Sequence, residues 1–419
     1  MKNIWKKIKN IFSSHYAMER FGISFLSLSF CMAILLVSMG IKAYKDSQKT
    51  LSEQVMYTTS VETSLTGQQG TVEGIYHNTD RTKCFVLLKF DDVSQLSINA
   101  ENYQMFATGF SASQEQEPLV KRPYGCIYVF GSTGYMGIYM TSSGGFEKQI
   151  MGVTVRCNKT IVDTTISDAS ATYMDASFDS YDQFRIYFNP VGTATQLSTS
   201  LDKERFDTFE LYEELVTKPN EIEIRNNLTE DLKEMHITQK ARKEYEERVA
   251  REGIGTYNIP KQIDGDVVEG DEDGVYHFTT DYVLPNGVDF DWYNGSIHDG
   301  YLDELKGELS YTEYLDNLEE QEDTSDDPEN AFKTDTIWYM TDGSTFEGDE
   351  YSDADLDDAS YKEIKTATDL LKNSWGEFYT LKQQYQCKDL VSLLKLEKEA
   401  REAQSHYTIN TSENVLQVY

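Results

Sequence analysis

The longest uninterrupted apolar run lies near the start of the chain, where Phe21–Ile41 reads FGISFLSLSFCMAILLVSMGI without a single charge. As a helix it would extend about 31 Å, the thickness of a bilayer's hydrocarbon core. Nothing else in the chain approaches it, so the pattern predicts one membrane crossing. A cleaved signal peptide is the competing reading, with Ser38 and Gly40 as its small residues, but its apolar region would be shorter. After a polar stretch over 42–70, read as a stalk, the apolar period falls to two. Thr71–Tyr76 and Cys84–Phe90 flank the turn HNTD, and Cys126–Phe130 and Tyr135–Met140 flank GSTG, which predicts two hairpins. Met151–Cys157 and Phe184–Phe188 supply further strands. Short strands separated by Gly, Ser and Asn turns point to an antiparallel sandwich or barrel.

The pattern then turns helical. Asn227–Glu252 predicts a partly solvated helix, with Asn227 and Glu230 as a capping box and Gly253 as its stop. Residues 254–300 mix carboxylates, glycines and aromatics without a long period. Pro285-Asn286-Gly287 marks a turn there, and a short helix is expected over Tyr301–Glu320, followed by an acidic linker at 322–330. The strongest helical signal comes last, with Ser360 and Glu363 as its capping box. Ile364, Leu371, Trp375, Phe378, Leu381, Tyr385, Leu393, Leu396 and Ala400 fall in a sector about 120° wide, along a helix of about 68 Å. Lys382 and Asp389 interrupt this stripe. A lysine stem can lie along apolar surface while its ammonium reaches out, but Asp389 has no such escape. Such a helix must pack against something. The alternatives are the chain itself (the 227–252 helix or the β-domain) or a face formed by Ile364, Leu371, Trp375, Phe378, Leu381 and Tyr385 that meets a second copy or a membrane partner.

Charge supports export. The formal net charge is −33. Lys2, Lys6, Lys7, Lys9 and Arg20 against Glu19 give +4 over residues 1–20, so the remaining 399 residues carry −37. The basic residues before the span favour a cytoplasmic N-terminus. The acidic remainder repels phosphate backbones and argues against nucleic acid as a partner. An aromatic content of 12% argues that most of the chain folds. Five cysteines, with no CxxC, form no disulfide framework; one bridge among Cys84, Cys126, Cys157 and Cys387 stays open in an oxidising compartment.

Candidate chemistry is sparse. Asp353, Asp355 and Asp357 alternate as in the first half of an EF-hand loop, yet Asp358 stands where that loop needs Gly and Ile364 where it needs Glu. Asp264, Asp266, Glu269, Asp271 and Asp273 are dense without ligand spacing. A solvated acidic face is the expectation for both, with about millimolar Ca²⁺ binding as the alternative. The six histidines are dispersed, with no HExxH and no GxSxG. Two SxxK matches occur, at Ser200–Lys203 and Ser392–Lys395, and the second lies within the predicted helix. GSTG and SSGG are hairpin turns rather than phosphate loops, since a strand follows each. A carboxylate pair for glycan cleavage would be hidden among the many acidic residues. The expectation is a protein without catalytic residues and without a cofactor.

The layout, with FVLLKFDD (85–92), YVFGSTGYMGIYM (128–140) and LPNGVDFDW (284–292), resembles uncharacterised single-span membrane proteins encoded on conjugative plasmids and integrative elements of Gram-positive bacteria. The likeness covers most of the chain after the span and brings no residue assignments with it. It implies a component of an envelope-spanning conjugation or secretion apparatus, with envelope or secretion proteins, or a second copy, as partners. A cell-surface adhesin or ligand-binding protein is the alternative, and a wall-modifying enzyme a third. The ending TSENVLQVY carries no wall-sorting motif, which favours membrane machinery. The expected class is α+β. Its parts are a basic cytoplasmic tail (1–20), a single transmembrane helix (21–41), a polar stalk (42–70), a β-rich, sandwich-like extracytoplasmic domain (71–200), a mixed acidic region (201–330) and a C-terminal part with one long amphipathic helix (331–419).

Overall fold

In the computed structural model the apolar run lies within a single helix, α1 (Ala17–Glu53). Described are residues 17–53, 58–111, 115–158, 181–192, 195–271, 274–278, 284–320, 336–347, 356–412 and 415–418. Most of the basic tail, the linker at 322–330, and Asp273, Asp353 and Asp355 lie outside them. The helix continues past the apolar run, so the first part of the expected stalk is helical. Two compact units follow. One comprises the strands before Phe206 together with the segment from His406 onward; the other spans Asp207–Ser405.

The β unit begins with β1 (Ser60–Glu62), β2 (Gln69–His77) and β3 (Lys83–Phe90). The β2–β3 hairpin forms as its pattern predicts, pairing Gly70 with Phe90 and His77 with Cys84. Asn78 closes its turn, its Oδ1 accepting from the backbone N–H of Thr82 and Lys83 at 2.9 Å each. The chain continues through β4 (Tyr103–Phe110), β5 (Gln116–Glu117), β6 (Tyr124–Phe130), β7 (Tyr135–Thr141), β8 (Ile150–Cys157), β9 (Asp182–Phe188) and β10 (Gln196–Leu197). GSTG is the β6–β7 turn, with Gly131 and Gly134 at φ 56° and 83°. Within β7, Gly137 lets the Phe85 ring lie flat on the strand: a Cβ there would meet Phe85 Cζ at 2.2 Å.

Two strands at the far end of the chain, β16 (Tyr407–Asn410) and β17 (Leu416–Val418), return to this unit. One sheet runs β1-β2-β3-β7-β6-β16, with β10 beside β2; the other runs β17-β4-β8-β9, with β5 beside β4. Pairing is antiparallel except for β10 on β2 and β17 on β4. The two sheets share one core. Val86, Leu88, Ile127 and Ile138 come from the first and Met105, Val153, Val155 and Ile186 from the second. Phe90 meets Phe184 edge-on between them, with centroids 5.3 Å apart. The first sheet is buried on its other face too, where Phe85, Tyr128, Tyr139 and Phe206 pack ring against ring. All five cysteines are free, so no bridge forms.

The helical unit opens on α2 (Thr208–Tyr212), capped by Asp207, whose Oδ1 accepts from Phe209 and Glu210 N–H. A π turn (Glu213–Thr217) leads directly into α3 (Lys218–Arg251). The predicted start at Asn227 is therefore corrected: Asn227 is mid-helix. Gly253, at φ 89°, ends the run as expected. Then come β11 (Ile254–Tyr257), the β12 (Val268–Gly270) and β13 (Tyr276–Phe278) hairpin, α4 (Tyr301–Leu305) and α5 (Tyr311–Glu319). The single helix expected over Tyr301–Glu320 is thus two, broken at Gly307 (φ 58°) and restarted by the Ser310–Glu313 capping box. β14 (Trp338–Met340) and β15 (Thr345–Phe346) join β11 in a small antiparallel sheet. Last come α6 (Asp358–Gln383), a π turn (Gln384–Asp389) and α7 (Leu390–His406), continuous with one another. Asp357 caps α6, accepting from Ala359 N at 3.1 Å and Ser360 N at 2.8 Å, so the predicted Ser360–Glu363 box is not the start.

The return of the chain end has a measurable consequence. Val415 and Leu416 are buried in the β core. Leu416→Ala is expected to cost about 3 kcal/mol, read as a shift in denaturant midpoint at unchanged slope. A loss below about 0.5 kcal/mol, the scale of a surface substitution, would remove β17 from the core.

Candidate functional site

Among the described residues one helix is long and apolar enough to cross a membrane, over Phe25–Ala43, and none of that window is buried within the chain. Leu26 is 72% exposed and Met39 65%. Helices of soluble units bury their apolar face, and this one has apolar side chains all round that no described residue of the chain covers. Lipid is the medium in which that composition carries no penalty.

The stripe of the C-terminal helix has a different fate. Ile364, Leu371, Trp375, Phe378 and Tyr385 are buried within the helical unit, and Leu381 is half-buried against the same core. Trp375 stacks on Trp338 of β14 with centroids 5.7 Å apart and planes 10° from parallel, and Tyr257 of β11 leans on both. The Arg242 guanidinium of α3 sits 5.5 Å over the Phe378 ring. These six side chains therefore lie in the core of the helical unit, the first of the two alternatives that the stripe left open, and not on an open face.

The two residues that interrupt the stripe both find partners. Lys382 forms an ion pair with Asp266 from the acidic loop region and also donates to the Gln262 carbonyl at 2.8 Å. Both side chains of the pair are largely buried, Asp266 the more so. Asp389 closes the π turn and faces Asp231 of α3. Asp231 is 5% exposed, and its Oδ1 accepts from Gln384 Nε2 at 3.0 Å. Burial, then the hydrogen bond and charge of Asp389, then the charges of Glu234 and Glu230 hold the Asp231 carboxyl well above the usual carboxylate range. Asp231 therefore holds its proton more tightly than an exposed carboxyl does. The sequence did carry a signal for it. Asp231 lies three residues after Leu228 and four before Met235, on the buried face of α3.

Around this pair the unit is closely tied. Trp292 Nε1 donates to the Tyr385 hydroxyl at 2.7 Å, and Arg225 binds the carbonyls of Trp292 and Gly295 while paired with Glu221. Beside Asp389 an open groove of about 400 Å³ runs between α3 and α7, lined by Glu223, Ile224, Asn227, Ser392, Lys395 and Leu396 among others. The second SxxK match therefore lies in this groove, but Lys395 is ion-paired with Glu319. A second buried acid, Glu397, accepts from Leu302 N at the start of α4 and is flanked by Arg401, which also binds Asp303 and Tyr311.

Of the calcium candidates, Asp273, Asp353 and Asp355 lie outside the described residues, and Asp266, Asp271 and Asp357 have other partners. Asp357 is a helix cap, Asp266 is bound to Lys382, and Asp271 accepts from Val275 N at 2.8 Å. Among the described residues no group of three or more His, Cys, Asp or Glu side chains is arranged to hold a metal ion. His236 and His77 are bonded to backbone oxygens. Comparison with protein-family models, with curated proteins and with solved structures finds no match.

The buried ion pair allows a direct test. Lys382→Met leaves Asp266 buried without its cation and is expected to cost about 3 kcal/mol, whereas Lys382→Met with Asp266→Leu should recover most of that loss. A double-mutant cycle by denaturant unfolding reads the coupling. Additive losses would show that the two side chains do not act as a pair.

Proposed function

We propose that this protein is a non-catalytic, membrane-anchored component of a bacterial envelope assembly, with its β and helical units on the extracytoplasmic side. The observation that carries the reading is the apolar helix with no cover inside the chain, joined to two folded units. Charge supports the orientation: +4 precedes the span and −37 belongs to the rest. The resemblance to proteins of Gram-positive conjugative elements narrows the assembly to a conjugation or secretion apparatus, in which α1 fixes the chain beside the channel and the two units contact other envelope proteins. With the long stripe of the C-terminal helix spent internally, the contacts would come from unit surfaces and from α1.

Single cysteines at Arg122→Cys in the β unit and Glu244→Cys in α3 test this, because four of the native thiols are buried and the fifth, Cys31, lies within the span. In intact, wall-stripped cells both positions should react with a membrane-impermeant maleimide. The membrane-bound chain should retain its N-terminal peptide by mass spectrometry. Reaction only after permeabilisation would overturn the orientation, and loss of the first residues would replace the anchor with a cleaved signal. Cross-linking in the same membranes should recover polytopic partners and a secretion ATPase. Recovery of the chain alone would favour a surface-binding role instead.

A further inference from the structure

We propose that Asp231 and Asp389 form a pH-responsive latch: one proton shared between α3 and the π turn holds the two helices together, and its loss loosens them there. The inference rests on the packing of the helical unit and not on the membrane reading.

The geometry leaves few other ways to satisfy this contact. Asp231 is nearly fully buried, with Gln384 on Oδ1 and no hydrogen-bond partner for Oδ2 other than the facing Asp389 carboxyl. A buried carboxylate beside a half-buried one cannot share ionisation with it cheaply, since Asp231 loses its water and the two charges repel. Among the described residues, the cations on α3 and α7 nearest the pair are already bound to other acids, and Lys388 adjoins Asp389 in the π turn. On α3, Glu230 and Glu234 flank Asp231, and Lys233 is bound to Glu230. On the α7 side, Glu399 and Lys395 line the groove with Asp389, and Lys395 is bound to Glu319; Glu223 faces in from α3. Within the π turn Tyr385 adjoins, with its hydroxyl bound by Trp292, and from the loops Asp289 and Tyr293 lie nearby. The nearby acids add repulsion and raise the penalty.

The backbone at this point suits a movable contact. Asp389 is the last residue of a π turn, whose i→i+5 bonding departs from the α-helical ladder and is often found where helices serve a function. Gln384, at the other end of the turn, is the donor to Asp231. A shift there would change both contacts at once.

The sign follows from where the proton resides. Asp231 binds its proton more tightly folded than unfolded, so the unfolded chain holds fewer protons between the ordinary carboxylate range and the raised folded value. Stability from this site is therefore complete at acid pH and declines as pH rises through the folded value.

Asp231→Asn keeps the shape and the donor while removing the titration. Full-length wild type and variant, in the same detergent, would be melted at pH 5 and pH 9. The melting temperature of the variant relative to wild type should rise by about 3 °C or more between pH 5 and pH 9. All other acidic groups are common to both chains and cancel in the difference. Hydrogen exchange, corrected for intrinsic rates, should show residues 384–396 losing protection at pH 9 in wild type but not in the variant. Equal melting differences at both pH values, or equal protection, would overturn the latch. Should Asp231→Asn fail to fold, Asp389→Asn carries the same expectations and the same refutation.

Discussion

Both sheets of the β unit are completed by residues that follow the whole helical unit in sequence. β16 lies along β6 and β17 along β4, with Met105 N donating to the Val415 carbonyl at 2.6 Å. Without them β6 and β4 would each present an unpaired edge, the feature that invites pairing with other chains. The helical unit is thus an insertion of the chain between β10 and β16. Closing so long an excursion costs little more than closing a shorter one, since the entropy grows only with the logarithm of length, about 0.6 kcal/mol per doubling. The cost is kinetic: these pairings are among the most non-local in the chain and belong to the slow part of folding.

The helical unit solves a separate problem, because α3 is too polar to hold a tertiary structure by itself. Its buried apolar residues are Leu228, Leu232, Met235 and Val249, set among the buried polar Asp231, Thr238 and Gln239. Of the polar ones, Gln239 Oε1 accepts from Val268 N at 2.8 Å, which also anchors the β12–β13 hairpin on the helix. The bulk of the burial comes from α6 and β14, where the two stacked tryptophans are fully enclosed. An aromatic-rich loop region with no helical or strand period becomes ordered because its Phe, Trp and Tyr side chains cover that helix pair.

Where a local rule sufficed, the sequence was legible. Both hairpins follow from period-two patterning joined by turn chemistry, and the one long apolar helix follows from length and lack of charge. The misses share a cause, namely elements stabilised by partners distant in sequence. β16 and β17 are four and three residues long and read as a polar tail until the sheets that receive them are known. The β11–β14–β15 sheet joins segments some eighty residues apart. The stretch before Asn227 carries Pro219, which in a helix removes a backbone bond; here it follows directly on the π turn, where the α-helical ladder is already interrupted. The acidic alternation at 353–357 looked like ligand spacing, yet its one described member is a cap. At Lys382 and Asp389 the sequence showed the conflict but not its resolution, since Asp266 and Asp231 lie more than a hundred positions away.

Those two conflicts explain how so long a helix keeps its register. An apolar stripe of Leu, Ala and aromatic residues can slide along a partner by one turn, about 5.4 Å, and still bury much of its area. Lys382 and Asp389 cannot slide. A displaced Lys382 would leave Asp266 buried without a cation, and a displaced Asp389 would leave Asp231 facing apolar side chains. Buried polar groups of this kind add little net stability, because desolvation offsets the attraction, but they penalise every arrangement except the one that pairs them. Lys382 stands just before the π turn and Asp389 ends it, so the helix is pinned at both sides of the turn, and the phase change it introduces lets α6 and α7 each turn their own apolar face inward. The interruptions that weaken the stripe as a pattern are what make its packing unique.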